Sequence, residues 1–125
     1  SENVELFGAL YAELQALCVE YEATEKNHPV QWEALADFTE ESDEALELYT
    51  KALQVAEKDT LHDYIASINY AVAVLYKELG ENEQALAAAE KANEQVGNIV
   101  DEDLKREIQS LINELQPPPA HPIYG

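Results

Sequence analysis

From Leu6 to Leu115, apolar residues recur at spacings of three and four with few interruptions. That period places them on one stripe of successive helices and leaves little room for any fold but a packing of helices. The chain has only four glycines, and four of its five prolines fall in the last ten residues. Ala, Leu, Glu, Gln and Lys fill most of the remainder, a composition that favours helix throughout. No stretch alternates as a half-buried strand requires, so the expected class is all-α.

The rhythm predicts five helices. Leu6, Leu10, Leu14, Leu17 and Tyr21 mark a first, over about 2–25, which Asn27-His28-Pro29 breaks. Leu35, Phe38, Ala45, Tyr49, Ala52 and Ala56 stay in step through a second, about 30–58, although the polar run Thr39 to Glu44 has the composition of a break. A third, about 60–79, starts from Asp59 or Thr60 as cap and carries Leu61, Tyr64, Ile65, Ile68, Val72, Leu75, Tyr76 and Leu79 up to Gly80. Asn82 opens a fourth, about 82–96, that ends at Gly97. Asp101 opens the fifth, about 101–115, whose buried stripe is Leu104, Ile108, Leu111, Ile112 and Leu115. One domain over 1–115 is expected, followed by a tail over 116–125 that Pro117, Pro118 and Pro119 force into an extended path. Ile123 and Tyr124 in that tail are apolar enough to dock in a groove.

Charge narrows the partners. The chain has 26 Asp and Glu against 7 Lys and Arg, a formal net charge of -19. Phosphate backbones and anionic lipid headgroups repel such a surface, so nucleic acid and membranes are poor partners; a basic polypeptide is one candidate, and the plainer reading is that the charge keeps the protein in solution. The single cysteine, Cys18, excludes an internal disulfide, and its neighbours Leu14 and Leu17 suggest burial. No run reaches the length of a membrane helix and the first residues lack the basic end of a signal peptide. The expectation is a cytoplasmic protein of bacterial style.

Helices three and four carry a family resemblance. Val72-Ala73, then Tyr76, Gly80 at the turn, Ala85 nine residues after the tyrosine and Ala92 seven further on resemble one tetratricopeptide repeat. Small residues at Ala73, Ala85 and Ala92 let two helices approach closely while Tyr76 fills the space beside them. The earlier hairpin resembles the same pattern in lengthened form, with Val4, Phe7-Gly8 and Tyr11 on the first helix and Ala45, Tyr49 and Ala52 on the second. Gly8 and Ala45 lie at nearly equal distances from Asn27, so both arms are read as lengthened alike. The family's tryptophan is replaced by Val4 and Asn69, and its closing proline by Glu57 and Gly97.

The resemblance implies about two repeats and a C-terminal capping helix, stacked as a right-handed α-solenoid that holds a peptide or helical segment of a partner in a helix-lined groove. Carried over by position, that groove presents Ser67, Tyr70, Val74, Lys77 and Glu78 in the second unit, and Glu2, Glu5, Ala9, Ala12 and Glu13 in the first. Family members that grip a terminal carboxylate use several basic and amide side chains, and only Lys77 is available here, so a chaperone-tail receptor is not implied. An apolar segment flanked by Lys or Arg suits the surface better. A second reading is an acidic chaperone similar to those of secretion systems. Two repeats are fewer than a stable stack uses, so a homodimer that covers the open ends is a further expectation.

Enzymatic readings find little footing. Glu25-x-x-His28 has helical metal-site spacing but no second copy to face it. His62 lies beside Asp59 and Asp63 and reads as a surface residue. Cys18 has no histidine partner at a useful spacing, and nearby carboxylates oppose its ionisation. A small helical-bundle enzyme or metal carrier is therefore the weakest reading, and no catalytic residue, metal or cofactor is expected.

Overall fold

The helix expected over 30–58 is two helices. The computed structural model describes residues 2–24 and 26–116, which form α1 (Glu2–Tyr21), α2 (Pro29–Asp37), α3 (Ser42–Lys58), α4 (His62–Glu78), α5 (Asn82–Asn93), a 3₁₀ turn (Val96–Asn98) and α6 (Glu102–Leu115). No strand occurs among the described residues, and no helix there is long and apolar enough to cross a membrane. The extended tail expected beyond Gln116 and Glu25 of the Glu-x-x-His spacing lie outside the described residues.

Local chemistry explains the two breaks. His28 caps α2, its Nδ1 accepting the Val30 N–H at 3.2 Å, and Pro29 takes the first helical position, where its missing N–H costs nothing. The α2 helix stops at Asp37. Thr39 turns its hydroxyl back onto the Leu35 carbonyl at 2.7 Å, and α3 begins with Asp43 and Glu44 in its first turn, where the helix dipole favours them. Phe38 keeps the helical rhythm but lies on the surface, 55% exposed. Its spacing is therefore no sign of continuous helix.

Other boundaries follow the same logic. α3 closes on Thr60 in the left-handed region (φ 54) and α4 on Gly80 (φ 78); the next residue's N–H reaches back to Ala56 and to Tyr76, each at 2.9 Å. Thr60 thus ends α3 instead of capping α4, and Glu81, not Asn82, occupies the position before α5. Asp101 caps α6 as expected, accepting from Asp103 and Leu104 at 3.0 and 3.1 Å.

The lengthened hairpin of residues 2–58 is not formed. α2 packs against α3 and α4 against α5, each pair making a hairpin, with α3 against α4 and α6 against α5; α1 rests on α2. Gly8 is exposed, and a side chain there would meet nothing within 4 Å. It therefore faces no small residue across a helix pair. Ala36 is the small residue that shares a core with Ala45, Tyr49 and Ala52.

One spacing recurs on alternate helices. Trp32 and Ala36 on α2, Asn69 and Ala73 on α4, and Ile108 and Ile112 on α6 share one spacing, and all six are buried. On the helices that follow, Ala45 and Ala52 match Ala85 and Ala92, all buried. The first pair differs in spacing, Ala36 lying nine before Ala45 where Ala73 lies twelve before Ala85, because α2 ends one residue after Ala36 whereas α4 runs on to Glu78. Two cores result: one around Trp32, Leu35, Tyr49 and Ile68, the other around Ala73, Ala92, Ile108 and Leu111, with Val72 packed against both.

Candidate functional site

Along α4, Ser67, Tyr70 and Val74 fall at steps of three and four and share one face. All three are half-buried, and they link three adjoining hollows of about 370, 480 and 440 Å³: Tyr70 lines all three, Ser67 the first two and Val74 the last two. Together the hollows form a trough with α4 as floor. One bank is α2 and the α2–α3 turn, with Glu33, Asp37 and Glu40; the other is α6, with Glu107, Ser110 and Glu114. Glu78 lies toward the first bank and Lys77 toward the second.

Three cross-links fix the geometry. Ser67 Oγ donates to Glu33 Oε2 at 2.7 Å, joining floor to first bank. Lys77 Nζ meets Glu114 Oε1 at 2.6 Å, joining floor to second bank. Tyr49 donates its phenol to Asp37, tying α3 under the first bank. Burial and the neighbouring Asp37 raise the Tyr49 phenol well above its ordinary range, so it stays a proton donor. Burial also raises Tyr70, with Glu107 adding to the effect. Since both partners are largely exposed, the Lys77–Glu114 pair holds position more than it adds stability.

Among the described residues, the cations on the trough, Lys77 and Arg106, are already engaged, with Glu114 and with Asp103. What faces an incoming ligand is thus a tyrosine and a valine between two carboxylate banks. Such a surface favours a positively flanked, partly apolar segment and repels an anion.

No family model, curated protein or solved structure matches this chain. Its own geometry is what can be read. The structure brings Ser67, Tyr70, Val74, Lys77 and Glu78 to one trough. It does not bring the first-unit set there: Glu5, Ala9, Ala12 and Glu13 are exposed on α1, which lines none of the three hollows, and the side chain of Glu2 lies outside the described residues. Because α2 is the true partner of α3, Glu33 and Asp37 stand where α1 residues were expected. The Trp32-x-x-x-Ala36 spacing was the signal that would have found them.

Remaining sequence candidates resolve differently. Cys18 is fully buried, and burial, partly offset by Lys51, raises its thiol above the ordinary value and keeps it unreactive. His62 is half-buried, not on the surface, because its Nδ1 hydrogen-bonds Gln95 Oε1 at 2.7 Å and pins α4 to the end of α5. Among the described residues, no three His, Cys, Asp or Glu side chains are grouped to hold a metal.

Glu33 combines a structural cost with a place in the trough. Burial, opposed by the Ser67 hydrogen bond and reinforced by Asp37, raises its carboxyl above 4.5. A carboxyl whose folded value lies above its unfolded value binds more protons when folded. Its contribution is fully present below 4.5 and is lost as pH rises through the raised value. Glu33→Gln keeps an acceptor for Ser67 and removes that loss. The variant is expected to melt higher than the native chain at pH 7 and equally at pH 4, in parallel thermal melts.

Proposed function

We propose that this chain is a protein-interaction module that holds an extended segment of a partner, apolar in the middle and flanked by Lys or Arg, in the trough floored by Ser67, Tyr70 and Val74. The observation that carries the reading is the pairing of an apolar floor with two carboxylate banks whose nearby cations are already neutralised. In the finer reading, the two hairpins are tetratricopeptide-type units in a short solenoid and α6 is the capping helix, with the first-helix spacing of the units. The recurrence Trp32/Ala36, Asn69/Ala73, Ile108/Ile112 supports this, and so does the small-residue match on α3 and α5. The trough would then be the inner face of the stack. The acidic surface suits a cytoplasmic adaptor.

Two substitutions of opposite sign test the proposal. Tyr70→Ala removes the largest apolar group of the floor and is expected to weaken capture of a basic polypeptide about tenfold or more. Lys77→Glu frees Glu114 and adds a negative charge, so it is expected to strengthen capture at low salt. Pull-downs with the intact chain and both variants, each checked for folding by circular dichroism, make the comparison. Equal capture by all three folded proteins would dismiss the trough.

A further inference from the structure

The row of helices has two ends, and they differ. At the α6 end, among the described residues, Gln109 and Asn113, which lie off the trough, are polar and exposed, as a face toward water should be. The α1 end is different. Leu6, Leu10 and Leu17 are 59%, 55% and 39% exposed, and their spacing puts them along one stripe. Beside the stripe, Phe7, Leu10, Tyr11 and Leu14 of α1 join Phe38 in lining a hollow of about 160 Å³, room for one large apolar side chain. Two of these lining rings, Phe7 and Phe38, meet edge-on with centroids 5.9 Å apart.

Charge says what covers this face. Helix α1 contains Glu2, Glu5, Glu13 and Glu20 and no Lys or Arg. Glu13 and Glu20 border the stripe at helical steps from Leu10 and Leu17, and among the described residues neither they nor Glu5 form an ion pair. Two cations have other partners near the end of α1: Lys51 pairs with Glu22 at 3.1 Å, and Lys26 lies over the Tyr21 ring. A second copy seated through α1 would set these carboxylates against their own equivalents without a counter-charge. An anionic membrane meets the same repulsion.

We propose that the outer face of α1 is a second docking surface, separate from the trough, for an amphipathic helix of another protein whose apolar stripe is flanked by Lys or Arg. The stripe packs on Leu6, Leu10 and Leu17, one large side chain enters the Phe7–Phe38 hollow, and the basic flank pairs with Glu13 and Glu20. This is recognition of a helix by a helix face, read as apolar anchors at steps of three and four.

The probe is a labelled, amidated peptide of about 18 residues, five helical turns, with a leucine stripe flanked by lysines. Two controls accompany it: a scramble of equal composition without a stripe, and a version with Glu for every Lys. Fluorescence anisotropy at physiological salt is expected to show binding of the striped Lys peptide to the full chain, with both controls about tenfold or more weaker. Measured in a Tyr70→Ala background, which removes the trough's own hold on a Lys-flanked peptide, Leu6→Ser with Leu10→Ser is expected to weaken it as much. Glu13→Lys with Glu20→Lys alters only exposed side chains, so it keeps the test open even if the leucine variant unfolds. That variant is expected to exchange preference, losing the Lys peptide and gaining the Glu peptide. Three outcomes would overturn the proposal: equal binding of the scramble, binding indifferent to all α1 substitutions, or sedimentation showing a dimer that the leucine substitutions dissociate.

Discussion

Trp32→Ala is expected to destabilise the protein by about 3–5 kcal/mol, a large part of the roughly 5–15 kcal/mol that holds a domain folded. Trp32 is 3% exposed and lies in the core that joins α2 to Cys18 of α1 and to Ala45, Tyr49 and Ala52 of α3. Its indole N–H donates to Asn27 Oδ1 at 2.7 Å, holding the α1–α2 turn, and Lys51 Nζ lies 4.6 Å from the ring centroid. Truncation leaves a cavity, an orphaned acceptor and a cation without its ring. Each term has the same sign. Trp32→Phe keeps most of the volume and loses only the hydrogen bond, so about 1–2 kcal/mol is expected there. Urea unfolding followed by circular dichroism measures both. Were residues 2–58 one lengthened hairpin, Trp32 would sit near its tip and cost about 1 kcal/mol or less. A small loss for Trp32→Ala would therefore revive that arrangement.

How far the sequence could be read depended on what each signal was made of. Gly80 and Asp101 announce themselves through backbone chemistry, a left-handed residue and an N-terminal cap, and they sit where that chemistry puts them. The helical class followed from the period alone. The α2–α3 break did not, because Phe38 stays in phase with Leu35 and Ala45 while lying on the surface. Periodicity reports spacing and not burial. The nine residues of α2 are also too few to hold helical structure unaided, and packing around Trp32 and Leu35 supplies what propensity lacks.

For the trough, the face of α4 was legible because Ser67, Tyr70 and Val74 share a helical step. Its banks were not. Glu33 and Asp37 belong to a helix hidden inside a longer expected one, and Glu107 and Glu114 to a helix expected only as a cap. Lys77 read as a free cation, whereas its partner Glu114 lies on a different helix, 37 residues away. A local spacing rule does not reach so far.

The repeat itself makes the sharpest demand on packing. In the repeat reading proposed above, Ala36, Ala73 and Ile112 would occupy one position in three successive units, yet two are alanine and one is isoleucine. In the first two units a second helix lies against the first, α3 beside α2 and α5 beside α4. In the third, no described helix follows α6. Ala73 is 0% exposed and cannot grow without pushing α5 away; Ile112, at 6%, fills space that no described following helix contests. Ala73→Ile is therefore expected to cost about 3 kcal/mol or more through overpacking, and to lower the melting temperature by several degrees for each of those. Ile112→Ala is expected to cost about 2 kcal/mol, the lower end for such truncations, since a site at the end of the row relaxes more easily. If Ala73→Ile is tolerated as well as Ile112→Ala, then closeness of the helix pair is not what keeps alanine at that position, and the equivalence of the three units fails with it.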